Sequence, residues 1–248
     1  MLKCIILGLV QGLTEFLPIS SSGHLVILGN IFGLQGSELF ITVFLHLATA
    51  LALVVFFIKD IFRAMRDIRL LMLILTVTLI TGLIAISAKD FFESFFSNPK
   101  SVAVFLFITG VILISTMAMR AGKRDIKKLK FMDALILGVT QGLAIIPGIS
   151  RSGTTLSLLL FRNLDYEAAF KFSFLAAIPA IVGAAILEFK NFPAIKINKI
   201  DLSVAFMISF VTGLFSLFIL KKIMIKRKFY LFGYYCIAIA VITFIFLK

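Results

Sequence analysis

Three ionisable side chains, Glu15, His24 and Arg151, stand in apolar surroundings in a chain that is 61% hydrophobic. A charge at the centre of a membrane helix costs about 2.5–3.5 kcal/mol on insertion scales, so each needs a partner or a task. Glu15 and Arg151 are of opposite sign. Read blandly, they form a structural ion pair; the default for ionisable groups at membrane depth is a functional site, and the two readings are compatible. Gln11 precedes Glu15 by four residues, so on a helix the amide and the carboxylate share a face and are able to bind a hard cation or polarise water. That spacing is common on surface helices and gains weight here only from its apolar surroundings.

After Pro18 comes the cluster Ser20-Ser21-Ser22-Gly23-His24, and after Pro147 the cluster Ser150-Arg151-Ser152-Gly153-Thr154-Thr155. Ser21 or Ser22 is the expected N-cap of a helix starting near His24, and the second cluster opens another helix in the same way. Helix N-termini present free N–H groups and attract anions, and Arg151 adds a planar fork suited to phosphate. An anion, with phosphate foremost, is therefore the expected ligand. Capping alone accounts for some of these serines, and Thr155 either binds phosphate or bonds back to a carbonyl. With an ordinary pKa of about 6.5, His24 is suited to donate a proton to a leaving oxygen or to attack phosphorus. His46, the other histidine, reads as a structural interhelical contact.

These residues lie in a segment that is written twice. Gly8-Leu-Val-Gln11-Gly12-Leu13 leading to Ile19-Ser20-Ser21-Ser22-Gly23 recurs as Gly138-Val-Thr-Gln141-Gly142-Leu143 leading to Ile149-Ser150-Arg151-Ser152-Gly153. Each copy is apolar, then broken, then apolar again. The halves of each copy are too short to span a bilayer, so each reads as a re-entrant helix, loop and helix. Between and after them, apolar runs at Leu39 to Ile58, Leu70 to Ala88, Val102 to Met119, Phe172 to Leu187, Leu202 to Leu220 and Tyr230 to Leu247 predict six spans. They show no period-2 alternation, which excludes a barrel. The fold expected is an all-α polytopic membrane protein, one domain over 1–248 with halves 1–119 and 131–248.

Charge sets the expected orientation. The formal charge of +13 is concentrated in three loops: Lys59, Arg63, Arg66 and Arg69; Arg120, Lys123, Arg124, Lys127, Lys128 and Lys130; and Lys221, Lys222, Lys226, Arg227 and Lys228. The positive-inside rule makes these cytoplasmic, so the basicity is a topology signal rather than a nucleic-acid surface. Both termini then lie outside. An odd number of spans separates the copies, which inverts the second relative to the first and brings the two breaks together near the midplane. Glu15 and the lack of an Ala-x-Ala site argue against a cleaved signal peptide. Cys4 and Cys236 read as packed thiols.

Gln11-Gly-Leu-Thr-Glu15-Phe-Leu-Pro-Ile-Ser-Ser-Ser-Gly-His24, taken with Pro147-Gly-Ile-Ser-Arg-Ser-Gly-Thr-Thr155, resembles the two signature motifs of the bacitracin-resistance type of undecaprenyl-diphosphate phosphatase. The resemblance covers essentially the whole chain. It implies a bacterial plasma-membrane hydrolase that removes the terminal phosphate of undecaprenyl diphosphate, regenerating the carrier lipid of cell-wall synthesis. It also implies a divalent cation, Mg²⁺ or Ca²⁺, and a site open to the outer face. The partners implied are a polyprenyl diphosphate and the membrane, with a homodimer left open and no nucleic acid. The family's motifs map onto Glu15, His24, Arg151 and Ser21 as catalytic residues, onto Ser20, Ser22, Ser150, Ser152, Gly153 and Thr155 as substrate-binding residues, and onto Glu15 and Gln11 as metal ligands. Many relatives have Glu where this chain has Gln11, which puts metal binding there in doubt. The nucleophile stays open among His24, Ser21 and water. A lipid-phosphate flippase or phosphate transporter is the rival reading, since inverted repeats with broken helices are a common transporter design.

Overall fold

The computed structural model describes residues 1–33, 37–96, 98–119, 122–190 and 198–247; Arg120, placed by sequence in the second basic loop, lies outside them. The described residues form eleven α-helices and no strand. In chain order these are α1 (Leu2–Phe16), α2 (Ser21–Phe32), α3 (Ser37–Arg66), α4 (Ile68–Ser87), α5 (Lys89–Glu93), α6 (Pro99–Ser115), α7 (Phe131–Leu143), α8 (Arg151–Phe161), α9 (Tyr166–Lys190), α10 (Lys199–Ile225) and α11 (Leu231–Phe246).

Local chemistry sets the boundaries. Asp67 accepts the Leu70 amide and starts α4, and Asn98 accepts the Lys100 and Ser101 amides to start α6, with Pro99 at the first helical position, where no N–H is needed. α3 outruns its apolar run and ends on Arg63 and Arg66, cations that suit a helix C-terminus and reach toward water. Among the described residues, five helices are long and apolar enough to cross a membrane: Phe44–Arg66, Ile68–Ser87, Pro99–Ala118, Tyr166–Ala184 and Lys199–Ile225. The sixth expected span falls short of that test. It forms α11, whose 16 residues reach about 24 Å at 1.5 Å per residue, against a hydrocarbon core of about 30 Å.

Small residues decide how the broken helices pack. α1 lies on α10 and α7 on α4; α3 also meets α10, α9 meets α4, and α6 pairs with α11. Gly8 and Gly12 face α10 closely: a Cβ on Gly8 would sit 2.6 Å from the Ala205 carbonyl oxygen, and one on Gly12 2.5 Å from that of Ser209. Gly138 and Gly142 face Ile80 and Ile84 of α4. Both pairs follow the small-x-x-x-small spacing that lets helix backbones approach in a bilayer. Hydrogen bonds follow the same contacts, from Ser216 to the Gly12 carbonyl and from Thr81 to that of Gly138.

Beneath the breaks, Phe16, Phe57, Phe170 and Phe174 form a contiguous aromatic cluster, with Phe16 edge-on to Phe174 at 5.8 Å. Leu75, Leu79 and Leu83 along α4, and Val211, Phe215 and Phe218 along α10, face outward, as lipid-exposed helices require. On the basic-loop side, Asp133 is fully buried and receives Arg124 and Arg162, the latter at 2.8 Å, so the start of α7 is tied to the end of α8. Arg124 thus has a structural partner as well as its charge. Cys4 and Cys236 are buried free thiols.

Candidate functional site

The site is built where the two breaks touch. Ser20, not Ser21 or Ser22, caps α2: its Oγ accepts the Gly23 amide at 3.3 Å and the Gly148 amide of the other break at 3.1 Å. A helix one residue longer at its start leaves Ser21 as the first helical residue, its side chain free of capping. Ser150 caps α8 in the corresponding way, accepting the Gly153 amide at 3.1 Å. Ser152 donates to the Leu17 carbonyl, and Thr109 of α6 donates to the Gly148 carbonyl while accepting the Ser150 amide. The breaks are therefore held by side chains from opposite copies, which satisfies backbone groups that lipid cannot.

Glu15 is the hub. Its Oε2 accepts Ser21 Oγ at 2.7 Å and Gln11 Nε2 at 3.0 Å, while its Oε1 accepts Arg151 Nη2 at 2.8 Å. The carboxylate and the guanidinium are both largely buried, at 7% and 14% side-chain exposure, so their attraction is little screened by water. Arg151 also lies over the Phe174 ring, 5.8 Å from its centroid, and its Nη1 is buried without a hydrogen-bond partner. Gln11 Oε1 is likewise buried and unpartnered. One donor and one acceptor thus remain unspent beside a charge pair, in a molecule where a buried polar atom ordinarily finds a partner.

His24 is held apart from this hub. Its Nδ1 lies 2.8 Å from the Ser20 carbonyl oxygen and its Nε2 2.9 Å from Tyr235 Oη on α11. The remaining residues singled out in sequence serve the helix starts: Ser22 meets Ser20 Oγ, Ser152 meets Ser150 Oγ, and Thr155 donates to the Arg151 carbonyl and meets Ser173 on α9. Thr155 thus makes the bond back to a carbonyl that its place on the first turn of α8 allows.

His46 is the residue that sequence reasoning set aside. Its Nε2 lies 3.6 Å from Glu15 Oε2, and Thr49, one turn on, accepts Gln11 Nε2 at 3.4 Å and donates to the His46 carbonyl at 3.0 Å. A signal was present: His46 and Thr49 stand at helical spacing in a run that is otherwise mostly apolar, which puts polar groups on one face of the helix. Among the described residues no group of three or more His, Cys, Asp or Glu side chains forms a metal cluster. The arrangement offers instead a hydroxyl on a carboxylate, an anchored guanidinium with a free donor, and a spare amide oxygen.

Known proteins resemble the chain over nearly its whole length. The protein named undecaprenyl-diphosphatase from Carboxydothermus hydrogenoformans is 43% identical, over 94% of this chain and 92% of its own length. Proteins of the same name from Alkaliphilus metalliredigens and Methanococcus maripaludis are 37% and 40% identical, each over 98% of this chain and over 98% and 99% of their own. The family model described as Bacitracin resistance protein BacA matches residues 4–242, taking in both breaks and the helices that carry them. The chain belongs to the bacitracin resistance protein BacA family.

Proposed function

We propose that this multi-pass membrane protein is an undecaprenyl-diphosphatase, hydrolysing the terminal phosphate of undecaprenyl diphosphate to yield the monophosphate carrier lipid. The observation that carries the mechanism is the 2.7 Å hydrogen bond from Ser21 Oγ to Glu15 Oε2. A hydroxyl held on a carboxylate is the arrangement of a nucleophile and its base. Both ring nitrogens of His24 are already engaged, which favours Ser21 over His24 as the attacking group. In this scheme Ser21 Oγ attacks the terminal phosphorus as Glu15 takes its proton. The bond from phosphorus to the bridging oxygen breaks, the lipid monophosphate leaves, and water then cleaves the phosphoserine.

Arg151 supports the same step, since one nitrogen holds Glu15 in place and the buried, unpartnered Nη1 is available to a phosphate oxygen. Charge gathering on the transferred phosphoryl group is the main load in such reactions, and a fixed guanidinium offsets it without reorganising. Gln11 Oε1 and Glu15 are oxygen donors that fit Mg²⁺ or Ca²⁺. With a single carboxylate, these two side chains would make up only part of the ligand set of such an ion. When bound, such an ion would be held by Glu15 and Gln11 Oε1 and would offset the negative charge of the diphosphate.

The reading extends to topology. The first helix of each broken pair packs on the second span of the other half, α1 on α10 and α7 on α4, and the pairings of α3 with α10 and of α9 with α4 are exchanged in the same sense. This exchange supports an inverted repeat with α11 as a short sixth span, and the charge of the basic loops supports both termini outside and a site open to the outer face. A homodimer is compatible with the outward apolar faces.

Purified protein in detergent, given undecaprenyl diphosphate and Mg²⁺, should release inorganic phosphate, and rapid quench with labelled substrate should trap a phosphoserine at Ser21. Release that survives both Glu15→Ala and Arg151→Ala would overturn the site. Movement of the lipid across sealed vesicles with no phosphate released would favour the transport reading.

A further inference from the structure

Two consecutive residues of α11 grip the first break. Cys236 Sγ donates to the Pro18 carbonyl at 3.5 Å, and Tyr235 Oη lies 2.9 Å from His24 Nε2 with the two rings nearly parallel, 5° apart and 5.7 Å between centroids. α11 reaches this position through α6, where Gly110 and Gly233 let the two backbones approach closely. The direction of the hydrogen bonds follows from the chemistry of the partners. The Ser20 carbonyl oxygen, 2.8 Å from His24 Nδ1, can only accept, so Nδ1 carries a proton. In the neutral ring Nε2 then presents its lone pair, and Tyr235 is the donor to it.

We propose that Tyr235 is a positioning residue for His24: it occupies the Nε2 lone pair and holds the ring on the Ser20 carbonyl, which steadies the first turn of α2 that carries Ser21. This inference rests on the phosphatase reading. Ser20 and Tyr235 hold opposite ends of the imidazole, so the ring cannot turn about χ2 without breaking both bonds. The phenol hydroxyl is the group that matters, because the stacked ring persists in Tyr235→Phe while the donor is lost. Since Tyr235 is 41% exposed, removing one oxygen there leaves the buried α6–α11 contact intact.

The test compares wild type with Tyr235→Phe and Tyr235→Leu in the same detergent. Nitrogen-15 spectra of the imidazole should show Nδ1 protonated and Nε2 as a hydrogen-bonded acceptor in wild type, with Nε2 moving to the position of a free acceptor in Tyr235→Phe. Phosphate release should fall about 3- to 10-fold in kcat for Tyr235→Phe with KM held within about twofold, the effect of one neutral hydrogen bond. Tyr235→Leu should lose the stack and fall further. An Nε2 resonance unchanged by Tyr235→Phe, protonation at both nitrogens in wild type, or an unchanged kcat would each overturn the proposal. No phosphate release from wild type would instead overturn the functional reading, while the spectra would still report whether the Tyr235 bond exists.

Discussion

The two broken helix pairs share a scaffold and differ in what they place on it. Both are capped by a serine that accepts the amide three residues on, Ser20 from Gly23 and Ser150 from Gly153, and both keep a second serine two residues later at 3.3 Å. Gln11 and Gln141 occupy the same place, each with its amide nitrogen on a threonine, Thr49 and Thr81. The difference begins one turn later, where Glu15 of the first copy is matched in sequence by Ile145 of the second. At the next matching pair, Ser21 and Arg151 approach the same carboxylate from opposite copies. The two helix starts are alike, and the differences at two matched positions make their junction polarised.

The sharpest way to break this comparison is to remove the polar member of the pair and its apolar counterpart in turn. Glu15→Ala takes away the acceptor of Ser21 and the partner of a buried guanidinium, so phosphate release should fall about a thousand-fold or more. Ile145→Ala removes apolar contact only, and activity should stay within about threefold of wild type at some loss of thermal stability. Equal losses from the two would mean that the copies share the chemistry. Arg151→Ala should fall as far as Glu15→Ala, and the double variant little further, because two groups acting as a unit are not additive.

Packing sharpens the comparison at a smaller scale. A Cβ on Gly8 meets the Ala205 backbone oxygen at 2.6 Å, whereas the nearest atoms to one on Gly142 belong to the Ile84 side chain, at 2.9 Å. Backbone cannot yield as a side chain can. Gly8→Ala should therefore separate α1 from α10 and lower the melting temperature in detergent by more than Gly142→Ala, with overpacking costs of about 1–3 kcal/mol setting the scale. A reversed order would show that α7 on α4 is the tighter joint.

Much of this site was legible in the chain because ionisable residues inside apolar runs are costly and therefore informative. Glu15, Arg151 and Gln11 do meet, and the serines do start helices. What the residues alone could not disclose is contact between distant segments. His46 was read as a structural contact since nothing in a single helix says which neighbour its polar stripe meets, and Tyr235 reaches His24 from the last helix. The cap was displaced by one residue because three serines in a row satisfy the same capping preference. Ser20 is chosen by its backbone, at φ 65°, and by the Gly148 amide of the other copy. At α11 the apolar run from Tyr230 to Leu247 forms a helix of 16 residues, because the helix stops short of both ends of the run.

That displaced cap carries the finest of these tests. Ser20 stands in the left-handed region, which costs a non-glycine residue about 1 kcal/mol or more, whereas in the second break the positive φ of 99° falls on Gly148, where no Cβ objects. The strain at Ser20 is offset by two accepted amides, from Gly23 and Gly148, against one for Ser150. Ser150→Ala should thus cost about 1 kcal/mol, the ordinary value of a lost cap, and Ser20→Ala about twice that, measured by thermal or denaturant unfolding in one detergent. Ser20→Gly should recover part of the loss, since it relieves the backbone while leaving the Gly148 amide without its acceptor. If Ser20→Ala and Ser150→Ala cost the same, the bond to Gly148 contributes nothing, and the two breaks are held together by the Glu15–Arg151 pair and the Ser152 contact alone.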